Sequence, residues 1–166
     1  MNLGAKCEAS GSTDLHNAST SVGNILVVDD DAGIRDVVAA VLLRTGYRVS
    51  CAEDGEAGWA ALCGEKFDVM ITDHEMPRLK GLDLLRRVRT APLNVPVILA
   101  SGRIPWHVPD LLPLLSPGQI LEKPYSLPKL LATVRSFLTP TSHANGWQPD
   151  SAAVAEHPIG MEKWTD

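Results

Sequence analysis

The sequence predicts an α/β fold: a doubly wound five-stranded parallel sheet, helices on both faces, and an irregular or shortened fourth helix. Three observations carry that reading. Runs of strand length alternate with amphipathic stretches of helix length through residues 23–139, the pattern of repeated βαβ units with right-handed crossovers. The first run is apolar at every position, as a strand covered on both faces requires. Gly, Asp and Pro fall between the runs, where turns and helix caps are needed.

Ile25, Leu26, Val27 and Val28 form the first strand. Asp31 offers an N-cap, and Ile34, Val37, Val38, Val41 and Leu42 follow at helical spacing until Gly46 closes the helix. Residues 47–51 alternate as a second strand. Asp54 and Gly55 turn the chain into a helix over 57–62, ended by Gly64. Residues 67–72 read as the third strand, and Leu82, Leu85 and Val88 mark a helix that ends near Thr90. Residues 95–100 give the fourth strand and 119–122 a short fifth. Leu127, Leu130, Leu131, Val134, Phe137 and Leu138 make a last amphipathic helix. Such a sheet is of the flavodoxin type, and its ligand site lies beyond the carboxyl ends of the strands.

The fourth helix should fall in IPWHVPDLLPLLSPG, residues 104–118. Pro inside a helix removes a hydrogen bond and clashes with the carbonyl four residues back, at about 3 kcal/mol or more. Pro105 and Pro109 can open a helical turn, while Pro113 and Pro117 should interrupt one. Trp106 there reads equally well as an exposed contact or as core.

The chain of 166 residues suits one domain with loose ends. Residues 1–22 are polar and aperiodic and read as a disordered leader; residues 140–166 read as a flexible tail. The N-terminus lacks the apolar core of a signal peptide, and no apolar run approaches the roughly 20 residues of a membrane span. The expectation is a cytoplasmic protein with no membrane partner. A net charge of −5 argues against nucleic acid as a partner. Three cysteines, with no CxxC and no Cys/His cluster, offer no zinc site.

Chemistry gathers at the predicted strand ends. Asp29, Asp30 and Asp31 follow strand one, Asp73 follows strand three, Ser101 strand four and Lys123 strand five. Any one of them alone reads as a cap, a turn residue or a solvated charge. Together they bring carboxylates, a hydroxyl and an ammonium to one mouth. Crowded carboxylates repel unless a hard cation sits among them, and Mg²⁺ needs only a few while keeping several waters. A carboxylate left accessible can then act as a nucleophile toward phosphorus, with the metal and Lys123 neutralising phosphoryl oxygens.

These residues resemble the receiver domains of bacterial response regulators. The resemblance rests on ILVVDDD at 25–31, ITDHEMPRLKGLDLL at 71–85, VILASGR at 97–103 and LEKPY at 121–125, and it spans about residues 23–139. It implies that Asp73 is the phosphoacceptor. It puts Asp30 directly on a Mg²⁺ (or Mn²⁺) ion and Asp29 on it through water, with the backbone carbonyl of Glu75 as a further ligand. Ser101 takes the hydroxyl position that reports phosphorylation, Lys123 the position that contacts the phosphoryl group, and Lys123–Pro124 is expected to be cis. Met76, Pro77 and Gly81 shape the loop. The implied partners are a histidine kinase or phosphotransfer protein and a downstream protein. With no output domain in the sequence, the signal would pass by protein contact.

Two features depart from the family. Ile120 stands where an aromatic switch residue often does, and Tyr125 reads as a replacement for a core Phe. The prolines around Trp106 are the other departure. His74 reads as a solvated rim residue; Glu75 and Arg103 flank the mouth where relatives tune the lifetime of the phosphoryl group. Two other functions stay open on the sequence: a phosphorylation-independent pseudo-receiver that only binds partners, and a metal-dependent phosphatase, which would need a general acid/base and a cap that the chain does not display.

Overall fold

A computed structural model describes residues 23–138, so the expectations for the leader and tail lie outside the described residues. Ten elements alternate: β1 Asn24–Val28, α1 Ala32–Arg44, β2 Arg48–Ala52, α2 Gly55–Gly64, β3 Val69–Asp73, α3 Gly81–Thr90, β4 Val97–Ser101, α4 Leu111–Leu115, β5 Gly118–Glu122 and α5 Leu127–Leu138. The five strands form one parallel sheet in the order β2-β1-β3-β4-β5. The chain winds outward from β1 in both directions, and the order reverses between β1 and β3.

Period-two alternation sorts the strand residues between two cores. Leu26, Val28, Met70, Val97 and Leu99 join α2, α3 and α4 on one face. Ile25, Val27, Val69, Ile71, Ile98 and Leu121 join α1 and α5 on the other. β1, β3 and β4 are buried along their whole length. Each fully buried Leu, Ile or Val contributes about 1.5–3 kcal/mol relative to an exposed one, so these central strands fix the sheet and its register.

Caps account for the helix starts. The Asp31 side chain accepts from the Ile34 N–H at 3.0 Å, and Asp54 accepts from the Ala57 N–H at 2.8 Å. α2 therefore begins at Gly55, two residues before the expected Ala57, with Asp54 as its cap rather than part of a free turn. Gly46 sits at φ 95° past the end of α1, where glycine carries no steric penalty.

α4 is short, as the prolines require. Its five residues bury Leu111 and Leu115, one turn apart, and leave Leu112 exposed. Pro113 does not interrupt it. The residue is third in the helix, where the missing N–H would have had no helical acceptor. Pro105 opens a separate turn, in which the Val108 N–H donates to its carbonyl at 3.0 Å, and Pro117 lies beyond the helix end. Trp106 is 63% exposed, which decides between the two readings of that residue. Among the described residues no helix is long and apolar enough to cross a membrane.

Candidate functional site: the mouth at the strand ends

The ladder register assembles the mouth. Asp73 ends β3 opposite Ala100, and Ser101 ends β4 opposite Glu122. One residue further on, the Lys123 N–H donates to the Ser101 carbonyl at 2.8 Å. The Asp29 N–H still pairs with the Ala52 carbonyl at 3.2 Å, so its side chain leaves from an ordered strand end.

These positions bring residues 94 and 50 apart in sequence into contact. Lys123 Nζ donates to Asp73 Oδ1 at 2.6 Å and to Asp29 Oδ2 at 3.2 Å. Both carboxylates are buried and the ammonium is half-buried. One positive charge thus faces two negative ones. Burial raises the Asp29 pKa above the ordinary carboxylate range, and the attraction of Lys123 only partly offsets this. Burial also acts to lower the Lys123 pKa, but its hydrogen bond to Asp73 and the charges of Asp29 and Asp73 outweigh it, and the net shift is upward.

The other expected residues stand as follows. Asp30 is exposed, and its side chain makes no hydrogen bond or ion pair among the described residues. The Glu75 N–H donates to Asp73 Oδ2 at 2.9 Å, which seats the Glu75 backbone against the carboxylate. Ser101 is buried, but its hydroxyl donates to the Arg103 carbonyl at 2.6 Å and accepts from the Arg103 N–H at 3.2 Å. The hydroxyl is satisfied within its own turn and does not bond to Asp73. Lys123–Pro124 is cis, as is Ser116–Pro117. Tyr125 is half-buried against the α1/α5 core, in keeping with its reading as a Phe replacement. Ile120 is partly buried against the opposite core.

His74 corrects the sequence reading. It is 8% exposed, not a solvated rim residue, and its Nδ1 is buried with no partner among the described residues. The sheet explains this: the His74 N–H donates to the Ala100 carbonyl at 2.9 Å, so the ladder runs one residue past Asp73. Gly81 then lies directly over the strand end. A Cβ there would stand 2.0 Å from the Asp73 carbonyl oxygen, so only glycine fits.

The loop between β3 and α3 is strapped to the rest of the mouth. Arg78, at φ 63°, pairs with the buried Asp54 and, at 3.1 Å, with Glu53. Sequence reasoning missed this strap, because charges on separate loops carry no spacing signal. It also missed Arg35, whose Nη1 donates to the Asp29 carbonyl at 2.6 Å. An apolar groove lined by Ile34, Val37, Pro124, Tyr125 and Leu127 opens beside Lys123.

The donor set suits a hard cation. The acidic residues at the mouth, Asp29, Asp30, Asp73 and Glu75, offer oxygen, and among the described residues no three His, Cys, Asp or Glu residues close a cage. Zinc prefers such a cage of nitrogen and sulfur ligands. Mg²⁺ typically takes one or two carboxylates and keeps its waters, so the mouth fits Mg²⁺ and not zinc.

Residues 25–135 match the family model of the response regulator receiver domain. The chain belongs to that family. It is similar to the response regulator MprA of Mycobacterium sp. (strain KMS), with 35% identity over 132 residues, 78% of this chain and 56% of the relative. The chain thus spans little more than half the length of the curated relatives it matches. Among solved structures it resembles the chemotaxis response regulator CheY4 of Vibrio cholerae, with TM-score 0.62 and 29% identity, covering 69% of this chain and 97% of that one. The response regulator TrrA of Thermotoga maritima, solved in complex with Mg²⁺-BeF, has TM-score 0.60 and 27% identity, covering 69% of this chain and 97% of that one. Receiver domains are generally not classical enzymes.

Proposed function

We propose that this receiver is a phosphorylation-operated switch with Asp73 as its phosphoacceptor. The observation that carries the proposal is the single ammonium of Lys123 shared between the Asp73 and Asp29 carboxylates. That arrangement leaves the mouth short of positive charge and holds a cation beside the attacking carboxylate. An Asp73 oxygen forms a bond to the phosphorus of a phosphohistidine on a partner kinase or phosphotransfer protein. The P–N bond breaks, its electron pair returns to the imidazole nitrogen, and that nitrogen regains a proton. Charge spreads over the phosphoryl oxygens as the group moves. Lys123 is placed to meet that charge. Asp29, Asp30, Asp73 and the Glu75 carbonyl would hold Mg²⁺ (or Mn²⁺), which supplies further neutralisation of the phosphoryl oxygens when bound.

Ser101 would have to leave the Arg103 carbonyl to meet the phosphoryl group, and that exchange would carry the change into the segment before α4. The signal would pass to a downstream protein by contact. A second reading, a pseudo-receiver that binds partners without phosphate, is favoured by Ile120 at the switch position and by the five-residue α4.

Beryllofluoride with Mg²⁺ separates the two. Binding of one equivalent to the native protein, read by ¹⁹F NMR or a shift in melting temperature, and its loss in Asp73→Asn support the switch. No binding to the native protein supports the pseudo-receiver. Multiple turnover of a small phosphate ester would instead identify a phosphatase.

A further inference from the structure

Arg35 stands in an unfavourable place for a cation. It is the fourth residue of α1, at the positive end of the helix dipole, where basic side chains weaken a helix. Asp29, Asp30, Asp31 and Asp36 surround it in sequence, yet among the described residues it forms no ion pair with any carboxylate. Its one side-chain bond, Nη1 to the Asp29 carbonyl at 2.6 Å, is short and charge-assisted. Its own N–H donates to the Asp31 carbonyl at 2.9 Å, which sets the base of the side chain.

That carbonyl is a sensitive point. The Asp29 C=O and the Asp30 N–H share one rigid peptide plane. Pinning the oxygen fixes the plane through which Asp30 leaves the strand end. The other groups of Asp29 are already tied: its N–H to Ala52, Oδ1 to the Asp31 N–H at 2.9 Å, and Oδ2 to Lys123. The exposed Asp30 carboxylate has no such ties, so its direction depends on the plane before it.

We propose that Arg35 is a positioning residue for the acidic pair: by holding the Asp29 carbonyl it presents the Asp29 and Asp30 carboxylates to a divalent cation. This rests on the reading of the mouth as a Mg²⁺ site. Groups that orient metal ligands in this way typically change affinity about 10- to 100-fold when removed.

The sign of the effect tests it. If Arg35 acts only as a charge near the site, its removal relieves repulsion and Mg²⁺ binds more tightly. If it positions the pair, removal weakens binding. Melting temperature of the full chain is followed against MgCl₂ at constant ionic strength, for the native protein, Arg35→Met and Arg35→Lys. The expected result is an apparent Kd about tenfold weaker for Arg35→Met and about threefold weaker for Arg35→Lys. Unchanged or tighter binding in either variant overturns the proposal. Should Arg35→Met fail to fold, Arg35→Lys, which keeps the charge, carries the test alone. A native protein that does not respond to Mg²⁺ overturns the metal reading and the Arg35 proposal together; a native response that Arg35→Met matches at unchanged or tighter Kd overturns Arg35 alone.

Discussion

The mouth and the α4 segment lie at neighbouring strand ends, yet they are held in opposite ways. At the mouth, charged side chains from β1, β3 and β5 meet each other directly, with Lys123 on both carboxylates and Gly81 packed onto the Asp73 carbonyl. The α4 segment contributes no charged side chain to its own anchoring. It is held by Leu111 and Leu115 in the core and by one guanidinium on α3. Arg89 donates to the carbonyls of Leu114 and Leu115 at 3.0 Å, Val95 at 3.1 Å and Pro117 at 2.9 Å. Isolated helices shorter than about 12–15 residues are marginal in water, so α4 needs that external capping. The comparison teaches that long-range side-chain contacts fix the chemical site, whereas one residue outside the α4 segment governs its backbone.

The same substitution on each side gives the largest contrast. Gly81→Ala forces a Cβ to within 2.0 Å of the Asp73 carbonyl, while a Cβ at Gly102 meets nothing within 4 Å. The expected losses in urea unfolding are about 3 kcal/mol for Gly81→Ala and less than about 0.5 kcal/mol for Gly102→Ala. Equal losses would break the distinction. Next is Arg89→Met. Burial lowers the Arg89 pKa, but the methionine test does not depend on titration, since it takes the guanidinium from four carbonyls, of which Pro117 keeps the Val97 N–H. Bonds to a charged group contribute about 1.5–3 kcal/mol, so a loss of about 2 kcal/mol is expected. Hydrogen exchange should quicken across residues 104–118 and stay unchanged in β1 and β3. Uniform acceleration across the domain would show that Arg89 is not specific to α4.

How much of this was legible in sequence follows from the same contrast. Doubly covered strands are written as apolar runs, so β1, β3 and β4 were legible, and with them the meeting of Asp29, Asp73 and Lys123. Proline chemistry made the shortness of α4 legible, though not that Pro113 would sit inside it. Backbone acceptors have no residue signature, which hid Arg35 and Arg89. His74 was misread because a polar residue after a strand reads as rim; only the extra ladder bond to Ala100 and the overlying Gly81 bury it. Ser101 was placed correctly at the end of β4, but its bond to Arg103 depends on a local turn that pattern does not reveal.

Asp29→Asn sharpens the electrostatic side of the comparison. Burial raises the Asp29 pKa, so the folded state binds this proton more tightly than the unfolded state. Its favourable contribution is full below the unfolded pKa and is lost as pH rises through the folded one. At neutral pH the ionised group is therefore a net cost in the metal-free protein. Asn removes the buried charge, and Lys123 keeps Asp73. A rise in melting temperature is expected without Mg²⁺, together with loss of stabilisation by Mg²⁺. A lower melting temperature at neutral pH would show that Lys123 more than compensates the burial of Asp29.

The smallest effect is expected at Trp106. A tryptophan usually contributes heavily to a core, and truncating a buried one costs about 3–5 kcal/mol. Here the ring is 63% exposed, and the turn that carries it closes through backbone groups, the Trp106 N–H to the Ile104 carbonyl at 2.9 Å and the Val108 N–H to the Pro105 carbonyl. Removing the ring leaves those bonds in place. Trp106→Ala should change unfolding free energy by no more than about 0.5 kcal/mol and leave exchange across residues 104–118 as it was. A loss near the core value would mean that the ring, and not Arg89 with Leu111 and Leu115, holds this segment, and the division between the two regions would have to be redrawn.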